Sequence, residues 1–124
     1  MADKRIEFEQ MFQPASGTVE IKILTREVVD EEAIQRISDE LAAIAGKPGV
    51  KNLLLDLRDV RFLSSRGLSA VISLHRKLDT NHATLVLFIE KPEILELFGL
   101  TRLDQILNVV RNEKDLKDKF NIGV

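Results

Sequence analysis

"RFLSSRGLSAV", residues 61–71, stands between a strand-like run and a helix-like pattern. The run before it, "VKNLLLDLRDV" at 50–60, is almost continuously apolar, as in a strand covered on both faces. After it, Leu68, Val71, Ile72 and Leu78 recur at helical spacing. A buried strand passing directly into a helix is the unit from which sheets with covering helices are built. The junction itself holds Ser64, Ser65, Arg66 and Gly67. A serine at a helix start is explained by capping, because its oxygen accepts a bond from an orphan backbone N–H. Capping does not explain Arg66, a cation in the first turn, where the helix dipole disfavours it. Nor does it explain Gly67, which costs about 1 kcal/mol relative to alanine inside a helix. A helix mouth that receives an anion would account for both: glycine permits close approach, free N–H groups point at the ligand, and arginine pairs the charge. On the residues alone both readings stand, the plain cap being the commoner feature.

Working outward, the elements alternate. "RIEFEQMFQ" (5–13) sets Ile6 and Phe8 against Glu7 and Glu9, and "GTVEIKILTRE" (17–27) sets Val19, Ile21 and Ile23 against Glu20 and Lys22. Both read as half-buried strands, and "PASG" (14–17) between them makes a hairpin. From Asp30 the period changes: Ile34, Ile37, Leu41 and Ile44 share a helical face, Asp30 can cap, and Gly46 ends the helix. "ATLVLFIE" (83–90) is a second central strand. Pro92 opens a short helix, with Gly99 expected just past its end. "QILNVV" (105–110) is a last strand, and "NEKDLKDKF" (112–120) a terminal amphipathic helix capped by Asn112. The order is β-β-α-β-α-β-α-β-α. That predicts a single α/β domain over 1–124, with a mixed sheet, helices packed on it, and Leu53–Leu57 at its centre.

Composition narrows the chemistry. A chain of 124 residues suits one domain, and the absence of cysteine removes disulfides, thiolate catalysis and cysteine zinc sites. A net charge of -2, with no tryptophan or tyrosine, points away from nucleic acid. The N-terminus lacks the apolar core of a signal peptide and no run is long enough to span a membrane, so a cytoplasmic location without membrane insertion is expected. His75 and His82 are seven apart, one mid-helix and one in the following loop, and no Asp/Glu/His cluster with ligand spacing surrounds them, so no metal is expected. A serine hydrolase needs a nearby base, yet His75 lies about 15 Å along the helix from Ser65. No P-loop or dinucleotide fingerprint is present, and no cofactor or enzymatic activity is expected. The phosphoacceptor receiver fold is rejected because the chain begins with a hairpin and no lysine directly follows "QILNVV".

"NLLLDLRDVRFLSSRGLSAVISLHRKL" (52–78) resembles the central segment of STAS domains, the family of bacterial anti-sigma factor antagonists. In that family an apolar strand leads to Asp-Ser-Ser/Thr-Gly-Leu at a helix start. "ATLVLFIEKPEILELFGLTRLDQIL" (83–107) resembles the following strand, Pro-led helix and last strand. The resemblance covers about residues 19 to 120, with its closest motif agreement over 52–107. It implies Ser65 as the phosphoacceptor, with Ser64 as second choice. Gly67 and Leu68 match the motif; Ser64 replaces its Asp, and Arg66 stands between acceptor and glycine. A second motif, Gly-Glu-Leu-Asp, reads "REVV" at 26–29: Glu27 is kept, Arg26 and Val29 are changed, and Asp30 follows at once. The implied partner-binding face comprises Arg26, Glu27, Asp30, Ser64, Ser65, Arg66, Gly67 and Ser69. The implied function is partner switching. The unphosphorylated antagonist binds an anti-sigma factor that is also a serine kinase of histidine-kinase ATPase-like fold. That kinase phosphorylates the serine and a PP2C-like phosphatase reverses it. A weak homodimer is admitted. The alternative is a STAS domain used without phosphorylation, as a scaffold or a transport-system subunit.

Overall fold

The computed structural model describes residues 5–123. Strands β1 (Phe8–Gln13) and β2 (Thr18–Ile23) form the expected antiparallel hairpin. Its turn demands a glycine. Gly17 has φ +66°, and a Cβ there would lie 2.7 Å from the Gly49 carbonyl oxygen. A short strand β3 (Glu27–Val28) precedes helix α1 (Glu31–Ala45), which is capped by Asp30 as its sequence suggests. Strand β4 (Asn52–Asp56) is followed by a two-residue strand β5 (Phe62–Leu63) and helix α2 (Ser65–Thr80). Then come β6 (Thr84–Phe88), α3 (Pro92–Leu100), a 3₁₀ turn (Leu103–Gln105), β7 (Asn108–Val110) and α4 (Glu113–Phe120).

The main sheet runs β1-β2-β4-β6-β7, with β1 antiparallel and every other pair parallel. The mixed sheet with β4 in its middle is as the sequence alternation requires. Side-chain alternation divides the core between the two faces. Leu53, Leu55, Leu85 and Leu87 face α1, α2 and α3, while Leu54, Val86 and Phe88 face Leu116 of α4. Three details differ from expectation. β3 and β5 pair with each other as a separate parallel ribbon, too short to carry a sequence period. Gly99 lies inside α3 rather than beyond it, because the helix runs two residues past Phe98 before Thr101 ends it. The last strand begins only at Asn108, since the 3₁₀ turn and Leu107 take up the preceding residues.

The α4 face also holds the one buried carboxylate among the described residues. Asp56 receives three side-chain hydrogen bonds from Arg58 (2.7–3.2 Å) and one from the Arg58 backbone N–H. The Arg58 guanidinium stacks 4.3 Å from the Phe88 ring centroid, and the Asp56 hydrogen bonds raise it above its ordinary basicity. Lys91 at the start of α3 closes the same corner by donating to the Arg58 carbonyl at 2.9 Å.

Candidate partner-docking site at the mouth of helix α2

The two serines occupy different environments. Ser64 is the cap of α2: its backbone is extended and its Oγ accepts from the Gly67 N–H at 3.2 Å. Ser65 is the first helical residue, is exposed, and its hydroxyl has no partner among the described residues. Helix α2 thus begins one residue before Arg66, where its start was expected.

The features that had suggested an anion site find roles within the domain. Gly67 is buried, and a Cβ on it would stand 2.5 Å from Leu63 Cδ1 and 3.6 Å from the Val28 carbonyl oxygen. Glycine is therefore needed so that the first turn of α2 can lie against the β3–β5 ribbon. The Arg66 guanidinium reaches across to α1 and donates to Gln35 Oε1. Gln35 in turn donates to Asp39 Oδ1 at 3.0 Å, and Asp39 borders the same groove as Arg66. Arg66, Ser69 and Ser73 then line one wall of an open groove between α1 and α2, of about 220 Å³.

The ribbon brings the two distant loops together. The Arg26 carbonyl accepts from Arg61 N (2.7 Å) and Phe62 N (3.1 Å), and the Val28 carbonyl accepts from Ser64 N (3.0 Å). Glu27 and Phe62 are register partners. Arg26, Glu27 and Asp30 border a second hollow, of about 650 Å³. Ser65 thus sits beyond a ribbon whose neighbouring strand begins at Glu27, just after Arg26, with Arg66 and Ser69 on its helix side. Sequence reasoning missed the apolar members of this surface. Phe62 is 64% exposed and Val29 47% exposed, flanking the serines on β5 and after β3. With Leu63 and Val28 turned inward each outer neighbour turns out, but two-residue strands carry no period by which the sequence could have shown it.

His75 lies ten residues along α2 from Ser65, about 15 Å at the usual helical rise, so it is beyond hydrogen-bond reach of that hydroxyl. Among the described residues no three His, Asp or Glu side chains gather as metal ligands, and no helix is long and apolar enough to cross a membrane.

The family model of the STAS domain matches residues 20–116, a span that contains both loops, most of β2 and all of β3 to β7. The chain belongs to the STAS domain family. Among solved structures, the STAS chain resembles the Bacillus cell fate determinant SpoIIAA in its phosphorylated form. Identity is 19%, over 91% of this chain and 98% of that one, with a TM-score of 0.66. An anti-sigma factor antagonist from Mycobacterium paratuberculosis matches at 17% identity over 94% and 96%, TM-score 0.75. A STAS domain protein from Planctomyces limnophilus matches at 13% identity over 93% and 98%, TM-score 0.77. At these identities the likeness is one of STAS fold.

Proposed function

We propose that this chain is a regulatory binding protein of the anti-sigma factor antagonist kind, without catalytic activity of its own, switched by reversible phosphorylation of Ser65. The observation that carries the reading is the free, exposed Ser65 hydroxyl beside Ser64, whose own hydroxyl is committed to the helix cap. Ser65 also occupies the acceptor position of the STAS motif. The partner is an anti-sigma factor that doubles as a serine kinase of histidine-kinase ATPase-like fold, with a PP2C-like phosphatase as antagonist. The docking face consists of Arg26, Glu27, Asp30, Ser65, Arg66 and Ser69 around the apolar pair Val29 and Phe62, while Ser64 and Gly67 shape the loop beneath it. A phosphate on Ser65 adds about −1.5 to −2 charges to a surface that is desolvated on docking, which suffices to shift affinity by orders of magnitude without refolding. Incubation with ATP and the kinase, followed by mass spectrometry, tests this: one phosphate on Ser65, lost in Ser65→Ala, is the expected result. A protein left unmodified by an active kinase would sink it.

A specific observation favours the second reading, a scaffold or transport-system subunit that is never phosphorylated. Ser64 keeps the capping function of the motif acid but not its charge, so the fold is retained while the negative helix mouth is not. In that case Ser65 exchanges freely for alanine with no loss of assembly.

A further inference from the structure

β1 is the outer strand of the sheet, and among the described residues no strand pairs with its free edge. Leu24 N–H donates to the Glu7 carbonyl. Because exchanging pairs alternate along an antiparallel ladder, the backbone groups of Glu9, Met11 and Gln13 serve β2. Those of Phe8, Gln10 and Phe12 therefore point away from the sheet, and they meet no partner among the described residues. Edge strands are normally protected by lysine, proline, a bulge or a covering element. Between Phe8 and Gln13 there is no lysine, no proline and no break in the register with β2, and the only charge is Glu9. Among the described residues only Gly123 approaches this strand, its carbonyl accepting from Gln13 Nε2 at 2.8 Å, and the middle of the edge stays open on both sides. On the α1 side Phe12 is 48% exposed, and on the α4 side Met11 is 61% exposed.

We propose that two copies of this chain associate through β1, antiparallel, about a two-fold axis centred on Gln10, joining their five-stranded sheets into one. The register follows from self-complementarity. Centred on Gln10, every outward N–H and C=O of Phe8, Gln10 and Phe12 on each copy meets its counterpart. Phe8 then faces the second copy's Phe12 on the α1 side, which covers the ring left exposed in one chain. Gln10 faces Gln10, whose amides donate and accept mutually. Glu9 faces Met11 on the α4 side. A shift of one residue in either direction fails. An axis on Glu9 opposes two carboxylates, which is unfavourable. An axis on Met11 brings Phe8 opposite Pro14, which has no N–H to give. None of the residues around Ser65 belongs to β1, so this association is independent of the docking reading.

Sedimentation equilibrium of the full chain, up to about 1 mM, tests the proposal. The wild type is expected to show a monomer–dimer equilibrium. Gln10→Lys and Gln10→Glu each oppose like charges at the axis and should weaken association about fivefold. An equimolar mixture of the two should recover it as a mixed dimer, which also shows that neither variant is misfolded. Met11→Lys should tighten association, because the new cation faces Glu9 of the second copy twice. A wild type that stays monomeric throughout the series overturns the proposal. So do Gln10→Lys and Gln10→Glu proteins that self-associate as the wild type does, or a mixture no tighter than its components.

Discussion

Ser64 and Ser65 carry the same side chain one peptide apart, and the structure gives them separate work. The Ser64 hydroxyl satisfies the Gly67 N–H, while the Ser65 hydroxyl faces solvent. Ser64→Ala should therefore cost about 1 kcal/mol of stability, the usual value of a cap, whereas Ser65→Ala should hardly change it. Chemical denaturation of the two variants side by side decides the matter, and equal losses would mean that the cap assignment is wrong. At Gly67 the expectation is larger. An added methyl at 2.5 Å from Leu63 Cδ1 forces the turn away from the ribbon, at about 1–3 kcal/mol. Gly67→Ala combined with Leu63→Val should cost less than the two single losses together, because the clashing methyl has been drawn back. The sequence carried the position of both serines and of the glycine, since strand and helix periods bracket them. It did not carry the reason for Gly67, which depends on Leu63 packing across a loop. Nor did it show that the Arg66 charge is oriented by Gln35, a residue from another helix.

Among the elements, long ones with a full period were legible and short ones were not. α1 shows its face as Ile34, Ile37, Leu41 and Ile44, all buried, and its cap as Asp30. β4 and β6 show themselves as unbroken apolar runs because both sheet faces are covered. β3 and β5 have two residues each and exist only because they find each other, so no local pattern could announce them. The corner at the end of β4 was also silent. Asp56 reads as an ordinary strand-end acid, yet it anchors Arg58, which stacks on Phe88 of β6 and approaches Glu113 of α4 at 3.9 Å. Asp56→Ala should lower stability by about 2 kcal/mol, since it leaves a partly buried guanidinium without its charged acceptor. A melting temperature unchanged by that substitution would show the corner to be decorative.

At the scale of the whole molecule, stability and recognition are expected to separate. An anion at Ser65 lies at the N-terminus of a helix, where the dipole tolerates it, so Ser65→Asp should leave unfolding nearly unchanged. The same anion under a docking partner must be desolvated, and affinity for a kinase-like anti-sigma partner should fall. Titration calorimetry beside thermal unfolding reads both quantities, and unchanged affinity would favour the scaffold or transport role. Arg66→Ala in the Ser65→Asp background should deepen the loss to the extent that the guanidinium screens the new charge. The parallel order of the sheet also governs how the chain assembles in time. Thr18 and Asn52 are neighbours across β2 and β4 yet stand 34 positions apart in the chain, and Asn108 reaches back 23 positions to β6. Only the β1–β2 hairpin closes locally, so loop-closure entropy must be met before the central pairings give anything back. A chain emerging from the ribosome holds β2 with β1 alone until β4 has followed. In pulse-labelled hydrogen exchange during refolding, the amide of Ile21 should gain protection together with that of Leu55, and well after α1 has begun to form. Early protection of the Lys22 amide, which faces Glu9 of β1, would mean that the hairpin is stable before the sheet exists, and Ile21, whose amide faces β4, protected well before Leu55 would break the prediction.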